Sequence, residues 1–361
     1  MGFQLTKNST PKHKQTVGLD IEAGSIAASE LSGDNGSVGR TAIAPLPPGA
    51  FAEGEIREPE ALSSALRTLF SEHKLGRSVR LGVANQAVVV RTLRLPLIED
   101  EEELETAIRF QAHDQIPMPL EQAVLDHRVL RRQAGPEGDR QMDVLVVAAR
   151  RDMVTSLLGA LRSAGLTPQG IDLSAFGMIR ALRDEPSGGG ENGGMLGATT
   201  LYYYLGAASN LVVANGRDCL FTRVSPVGVE TIAEAVAERE GLSVDESRDW
   251  LLEVGIDEPI DASFGDDRNL AAVVREELEE GVSKLHNELR LSLDYYGAQE
   301  TALPIERVVV CGLGSTIPGL VERLQTGLGR PIEPRTPAAL SQLPVEDAAR
   351  LTVAYGLALE G

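Results

Sequence analysis

Cysteine is nearly absent from this sequence, and its scarcity excludes several classes of site. Cys219 and Cys311 are the two cysteines among 361 residues, and each lies in an apolar, strand-like segment. Residues so far apart exclude a disulfide framework and a CxxC metal site, and the low usage is typical of a reducing compartment. The five histidines show neither HxxxH nor HxxE spacing, so we expect no dedicated zinc site.

Long apolar runs and an excess of positive charge are also missing. No run approaches the roughly 20 apolar residues that span a bilayer, and residues 1–15 lack the apolar core of a signal peptide. The chain has 34 basic and 53 acidic residues, a net charge of −19, which disfavours a nucleic-acid-binding surface. We therefore expect a cytoplasmic protein with no direct membrane insertion and no nucleic-acid partner.

The composition that remains describes a globular protein of more than one domain. Hydrophobic residues make up 42% of the chain and charged residues 24%, which are ordinary values for a soluble fold. A chain of this length is longer than a single hydrophobic core usually supports. The run from Ser187 to Gly194 is rich in glycine, as linkers are. The sequence thus predicts two halves joined by a linker at residues 187–197, preceded by a disordered tail at residues 1–16.

The segment from Val17 to Leu31 has the pattern of two strands joined by a turn. Val17, Leu19 and Ile21 alternate with other residues, as in a half-buried strand, and small residues follow at the turn. Asp20 precedes this turn, where backbone N–H groups can bind an anion and a carboxylate can hold a metal ion. The segment predicts either an ordinary β-hairpin or a phosphate-binding loop.

The second half of the chain begins in the same way. Residues 201–213 again predict a strand, a small-residue turn and a strand, and residues 270–296 carry the apolar stripe of a long helix. The apolar segment 305–311 predicts a buried strand, which enters the turn Gly312-Leu313-Gly314-Ser315. Together these features predict an α/β protein whose two halves open alike.

Residues 93–130 do not follow the pattern shared by the two halves and form a distinct segment. Five acidic residues at 99–103 open a helix, where the helix macrodipole favours them, and an apolar stripe follows. Strands are predicted at 124–130 and 142–149, and a helix at 151–164. These elements predict a compact module inserted into the first domain.

This ordered set of features resembles the actin/Hsp70/sugar-kinase ATPase superfamily and, within it, the type IV pilus assembly protein PilM family. The resemblance extends from about Val17 to Leu359. Its most specific stretches are Leu95-Pro96, Glu101-Glu102-Glu103-Leu104, Ala107-Ile108, Ile116-Pro117 and Leu125-Asp126-His127-Arg128-Val129-Leu130, with similar stretches at 289–296 and 312–320. It implies an actin-like (ribonuclease-H-like) duplicated fold, in which two domains flank a nucleotide cleft and a small α+β subdomain is inserted.

The resemblance also implies a division of the chain. The first actin-like domain would comprise residues 17–92 and 166–186, and the inserted PilM-type subdomain residues 93–165. The core of the second domain would comprise residues 198–230 and 304–361, and its helical subdomain residues 231–303.

In this superfamily the cleft holds ATP with Mg²⁺, and the resemblance implies candidate residues for both. Asp20 is the candidate metal-side carboxylate, and no further catalytic residue or metal ligand is assigned. The other candidate nucleotide-binding residues are Gly24, Ser25, Gly206, Ala207, Ser209, Asn210, Glu288, Gly312, Gly314 and Ser315.

The sequence departs from the family pattern at several of these positions. Glu22 stands at a glycine position of the first hairpin, and Ala27 stands at a lysine position. Tyr204 stands where the second hairpin has aspartate, and Leu313 replaces the middle glycine of the late turn. A glutamate adds like charge beside a triphosphate, and a phenol cannot replace a carboxylate at Mg²⁺. We therefore expect a nucleotide-shaped pocket that hydrolyses ATP poorly.

The function that the resemblance favours is a non-catalytic scaffold of the type IV pilus, or a related secretion, assembly machine. The protein would lie at the cytoplasmic face of the inner membrane, held there through partners, as a monomer or an oligomer. It would bind the N-terminal tail of a PilN-like membrane protein, beside other pilus inner-membrane components. The tail would add to a strand edge between the first domain and the insertion. The candidate groove residues are Val88, Leu93, Leu95 and Ile116.

Two alternatives stay open at this point. The chain is an active Mg-ATP-hydrolysing PilM-like ATPase that uses Asp20, or it is another actin-family protein, such as an FtsA-like division protein or a small-molecule kinase. Residues 351–361 contain no basic residue and so lack the character of an FtsA-like membrane helix. We find no motif that would place a kinase aspartate in a substrate cleft.

Overall fold

The computed structural model describes residues 16–33, 36–134, 140–183, 198–257, 259–299 and 301–359, so the predicted linker and nearly all of the predicted tail lie outside the described residues. The strands are β1 (Val17–Glu22), β2 (Ser25–Leu31), β3 (Val38–Pro45), β4 (Phe51–Ala52), β5 (Glu55–Ile56), β6 (Ser78–Val83), β7 (Val89–Pro96), β8 (Ala123–Ala134), β9 (Arg140–Arg150), β10 (Thr167–Leu173), β11 (Thr199–Leu205), β12 (Ser209–Asn215), β13 (Asp218–Ser225), β14 (Arg307–Cys311) and β15 (Glu333–Pro334). The α-helices are α1 (Pro59–Glu72), α2 (Glu101–Gln115), α3 (Arg151–Ser163), α4 (Ser174–Leu182), α5 (Val229–Glu240), α6 (Val244–Val254), α7 (Arg268–Gly297), α8 (Leu320–Leu328) and α9 (Val345–Ala358).

Two five-stranded sheets repeat one arrangement. The first sheet has the order β10-β6-β1-β2-β3, and the second has the order β13-β12-β11-β14-β15. In each sheet a hairpin pairs antiparallel, β1 with β2 and β11 with β12. The first strand of each hairpin also pairs parallel with a later strand, β1 with β6 and β11 with β14. The two hairpins predicted from the sequence are thus confirmed, and they open two halves of like topology.

The second sheet packs against the helices that follow it. Every residue of β11 and β12 is buried, because helices cover this part of the sheet on both faces. The long helix α7 buries Val274, Leu278, Leu285 and Leu289 in the core that also contains Leu201 of β11. The predicted long helix at 270–296 therefore agrees with α7 to within two residues at each end. No helix among the described residues is both long enough and apolar enough to cross a membrane.

The inserted subdomain has its own small core. Its three-stranded sheet has the order β7-β9-β8, and α2 packs on one face through Leu104, Ile108 and Ala112. The side chain of Asp100 caps the helix by accepting a hydrogen bond from the N–H of Glu103 at 2.9 Å. The insertion begins earlier than predicted from the sequence, because β7 starts at Val89.

The helix α3 does not belong to the insertion, although the sequence placed residues 151–165 there. It buries Leu157 and Leu161 in the first-domain core, which also contains Leu66 of α1, and it contacts α1 and β10. The hydroxyl of Ser63 in α1 donates to the carbonyl oxygen of Ala160 at 3.2 Å. The apolar pattern of a helix indicates which of its faces is buried but does not indicate which sheet covers that face.

The C-terminal helix α9 also lies elsewhere than expected. The prediction assigned residues 304–361 to the second domain, yet α9 packs on α4, β1 and β2 of the first domain. Glycines allow the close approach: a Cβ on Gly356 would overlap the backbone of Gly177 in α4, and a Cβ on Gly18 would overlap the backbone of Ala354. The guanidinium of Arg80 donates to the carbonyl oxygens of Leu357 and Leu359 at the end of the helix.

This packing predicts opposite effects for two glycine-to-alanine substitutions in helices. Gly356→Ala places a methyl group against the backbone of α4, so we expect it to lower the free energy of unfolding by about 2 kcal/mol or more. Gly159→Ala is the matched control, because nothing lies within 4 Å of its Cβ in α3, and it should raise stability by up to about 1 kcal/mol. Denaturant titration measures both. Equal stability of the two variants would contradict the proposed contact.

Candidate functional site

The turns of the two hairpins face each other across a cleft of about 300 Å³ between the domains. The end of β1 supplies Asp20 and Glu22 from one side, and the turn between β11 and β12 supplies Ala207 from the other. Its other lining residues include Phe51, Glu53, Ser174, Tyr204, Ser209, Asn210, Glu230, Glu234 and Val353. The cleft lies where the sequence resemblance predicted a nucleotide-binding site.

The structure brings four of the predicted nucleotide-binding residues to this cleft. Asp20, Ala207, Ser209 and Asn210 line it. Gly24, with a positive φ of 76°, and Ser25 form the turn and the start of β2. A Cβ on Gly24 would overlap the guanidinium of Arg248. The first turn is therefore covered by a side chain of the second domain.

The other predicted nucleotide-binding residues have different surroundings. Gly312, Gly314 and Ser315 form a tight turn, in which the Ser315 hydroxyl donates to the Gly312 carbonyl oxygen at 2.7 Å. A Cβ on Gly314 would lie 2.8 Å from the Cβ of Leu205, so the turn packs directly against the end of β11. Glu288 lies outside the cleft, paired with Arg223 at 3.3 Å in a neighbouring groove.

Two departures from the family pattern meet at the floor of the cleft. The hydroxyl of Tyr204 donates to the Oε2 of Glu22 at 3.0 Å, across 182 residues of sequence. The carboxyl group of Glu22 also accepts a hydrogen bond from the backbone N–H of Ala207. A Cβ on Gly206 would overlap the Oε1 of Glu22, so this carboxyl group fills the space between the turns. The sequence flagged both residues but gave no sign that they are partners.

Burial sets the protonation of the acids in the cleft. Burial raises the pKa of Glu22 to about 7, although the Tyr204 hydrogen bond and the charge of Arg350 act in the opposite direction. Burial and the nearby Glu22 raise the pKa of Asp20 well above its usual range, while the hydroxyl of Ser174, 3.3 Å away, acts to lower it. Burial likewise raises the pKa of Tyr204. Carboxyl groups placed so close and so deep favour their neutral forms.

These residues do not fit Mg-ATP as they stand. Five carboxyl groups line the cleft, from Asp20, Glu22, Glu53, Glu230 and Glu234, and no lysine or arginine is among the described lining residues. A triphosphate requires positive charge and close backbone approach, whereas here a carboxyl group fills the approach. The described part of the chain also contains no group of three or more acidic, histidine or cysteine side chains arranged to hold a metal ion.

The one guanidinium at the first turn is already engaged. Arg248 donates from Nε to Glu230 at 2.9 Å and pairs through Nη2 with Asp245 at 2.6 Å, and its side chain is largely buried. Sequence reasoning missed Arg248 and Glu230, because neither lies in a family motif. The spacing of Asp245 and Arg248 on one face of α6 was the available signal.

A second space, of about 480 Å³, adjoins the cleft at the junction of the insertion with both domains. Val89 and Arg91 border it from the start of β7, and Val88 borders it from just before that strand. Asn85 and Leu173 border it from the first domain. The second domain completes it with residues that include Asn210, Phe221, Arg223, Val224, Pro226, Glu288 and Tyr295. We call this space the junction groove.

One of the four predicted groove residues lines the junction groove, namely Val88. Leu93, Leu95 and Ile116 are 1%, 2% and 5% exposed and pack inside the insertion. Leu93 and Leu95 point into this core because β7 alternates between two faces and α2 covers one of them, and Ile116 joins the core at the end of α2. Pro117, directly after Ile116, does reach the groove.

Comparison with known families agrees with the fold. The family model described as type IV pilus assembly protein PilM matches residues 18–361. The chain belongs to the PilM family. Its family membership gives it a role in type IV pilus assembly.

Solved structures of similar proteins support the same conclusion. A structure described as a PilM-PilN type IV pilus biogenesis complex has 28% identity and a TM-score of 0.77, over 96% of this chain and 98% of that one. MreB5 of Spiroplasma citri bound to ADP has 12% identity and a TM-score of 0.51, over 94% of each chain. The ethanolamine utilization protein EutJ from Carboxydothermus hydrogenoformans has 13% identity and a TM-score of 0.51, over 96% of this chain and 89% of that one. The actin-like fold is thereby established for this chain.

The buried acid at the cleft floor predicts a pH dependence of stability. Glu22 has a pKa of about 7 in the folded chain against an ordinary value of 4.5, so the folded state binds the extra proton between these values. Stability should fall as pH rises from about 4.5 to about 7, by up to about 3 kcal/mol. Glu22→Gln should flatten this fall, which melting curves across the range would show.

The exposed Glu105 of α2 provides the control. Glu105→Gln should leave the pH dependence of the wild type unchanged. A Glu22→Gln variant that loses as much stability as the wild type between these pH values would contradict the assignment.

Proposed function

We propose that this chain is a scaffold of the pilus assembly machine that binds the N-terminal tail of a PilN-like inner-membrane protein in the junction groove. The observation that carries the proposal is the groove itself, formed where the insertion meets both domains. The tail would hold the chain at the inner face of the cytoplasmic membrane, beside other pilus inner-membrane components. The similarity to the structure described as a PilM-PilN type IV pilus biogenesis complex supports a partner of this class.

The groove has the features that an extended peptide requires. β7 is an edge strand of its sheet, so an added strand can pair with its outer backbone groups. Val88, Val89 and Phe221 offer apolar contacts, while Asn85 offers an amide. The Asn85 side chain is itself fixed, donating to the Glu53 carbonyl oxygen at 2.8 Å and accepting from the Ala87 N–H at 2.7 Å.

The proposed scaffold does not hydrolyse nucleotide. What supports this is the set of carboxyl groups that line the cleft without a lysine or arginine, together with the Glu22 side chain between the two turns. The alternative is an active Mg-ATP-hydrolysing protein in which Asp20 serves the metal. We favour the scaffold because Asp20 is 5% exposed and favours its neutral form, which is a poor ligand for Mg²⁺.

Peptide binding tests the partner directly. A labelled peptide of the PilN-like N-terminal tail should bind the wild-type protein with micromolar affinity in an anisotropy titration. Val88→Asp should weaken binding at least about tenfold, because it buries a charge against the apolar part of the tail. Absence of binding by the wild type at several hundred micromolar would refute the proposal.

Val345→Asp is the matched control for this experiment. Val345 is 57% exposed at the start of α9 and lies outside the groove. The same substitution there should leave peptide affinity unchanged. Melting curves of both variants separate lost binding from lost folding, and equal weakening by both would remove the groove from the proposal.

Phosphate release tests the absence of hydrolysis. Purified protein incubated with Mg-ATP should release no more phosphate than its Asp20→Ala variant, because no catalytic metal site is expected. Turnover that disappears on Asp20→Ala would establish the alternative function instead.

A further inference from the structure

The hydrogen bond between Glu22 and Tyr204 joins the two domains. Glu22 ends β1 of the first sheet, and Tyr204 lies near the end of β11 of the second. Their side chains meet at 3.0 Å on the floor of the cleft. We propose that this pair is a built-in tie that holds the cleft closed without a bound ligand.

The glycines of the cleft make room for this tie. A Cβ on Gly206 would overlap the Cε1 of Tyr204, and a Cβ on Gly312 would lie 2.9 Å from its Cε2. The phenol ring is thus flanked by two residues without side chains. Gly206 also leaves space for the carboxyl group of Glu22. In this chain these glycines therefore admit a tyrosine and a glutamate from within the protein.

The backbone of the second hairpin completes the contact. The N–H of Ala207 donates to the same carboxyl group that accepts from Tyr204. Glu22 is thereby bound to both the last part of β11 and the turn that follows it. Two donors on one carboxyl group fix its position better than either alone.

A second contact acts at the tip of the first hairpin. Arg248 of α6 lies against Gly24, and its guanidinium is held in place by Glu230 and Asp245. The first hairpin is therefore in contact with the second domain both at its base, through Glu22, and at its tip, through Gly24. Side chains of the protein itself therefore occupy the space at both the base and the tip of this hairpin.

The charges around Glu22 come from several elements. Asp20 lies on the same strand, Arg350 faces it from α9, and Glu230 faces it from α5. Cys311 of β14 is also within electrostatic reach. The contact with Tyr204 requires that Glu22 accept a hydrogen bond, which both forms of the carboxyl group can do.

Pulsed electron paramagnetic resonance on the full chain tests the tie. Spin labels at Ser64→Cys and Glu322→Cys, two exposed positions on α1 and α8, report the distance between the domains. The native Cys219 and Cys311 are buried, so the spin-labelling reagent should react only with the two introduced thiols. In the otherwise wild-type protein we expect one narrow distance distribution that millimolar Mg-ATP does not change.

Tyr204→Phe removes the hydroxyl and keeps the ring. We expect a longer, broader distance population to appear, with the ratio of open to closed molecules rising about tenfold. Hydrogen–deuterium exchange at residues 206–209 should accelerate in Tyr204→Phe by a similar factor, which gives a second readout if labelling disturbs the fold.

Tyr203→Phe is the matched control. The hydroxyl of the adjacent Tyr203 donates to the carbonyl oxygen of Leu285 at 3.4 Å, entirely within the second domain. That hydroxyl also interacts with Ser209, so the control is read on the interdomain distance alone, which its loss should leave unchanged. The proposal is overturned if Tyr204→Phe behaves like Tyr203→Phe, or if Mg-ATP narrows the distance distribution of the wild type. Neither result depends on the pilus partner, so the tie and the proposed scaffold function stand or fall separately.

Discussion

Backbone contact between α9 and the first sheet is the constraint on which the arrangement of the two domains depends. The chain enters the second domain after α4, yet α9 returns to the first, and Gly18, Gly177 and Gly356 let the helix approach its neighbours more closely than side chains would allow. This return also places Val353 in the lining of the cleft and Arg350 near Glu22. A cavity between domains keeps its shape only when such a connection limits their separation.

Within that frame, the cleft uses polar groups to specify one closed position. Burying Asp20 and Glu22 together is costly, and hydrogen bonds from Ser174, Tyr204 and the Ala207 N–H offset part of the cost. An apolar pair of the same volume would close the cleft with less penalty but without directional contacts. The acids therefore contribute position more than stability, which is consistent with the proposed scaffold.

The sequence was sufficient for elements whose signals are local. Alternation located the first hairpin, the repeated strand–turn–strand pattern located the second, and the apolar stripe located α7, because period and burial are properties of neighbouring residues. The sequence did not predict contacts between distant elements. The apolar stripe of α3 and the glycines of α9 do not indicate which surface each helix packs on. The same limit applies to Glu22 and Tyr204, whose identities predicted poor hydrolysis of ATP but did not show their hydrogen bond. Glu288 was placed in the cleft by analogy, whereas Arg223 holds it in the groove.

The cleft and the junction groove are neighbouring spaces with a shared wall. Asn210, Val224 and Pro226 line both, so the end of β13 separates them. The groove is bordered by both domains and by the insertion, and its width is therefore fixed by the same interdomain distance that Glu22 and Tyr204 span. A docking surface built across domains needs that distance to be constant, since a shift of an ångström disrupts apolar contacts. Closure by the protein's own side chains meets this requirement without a ligand that dissociates.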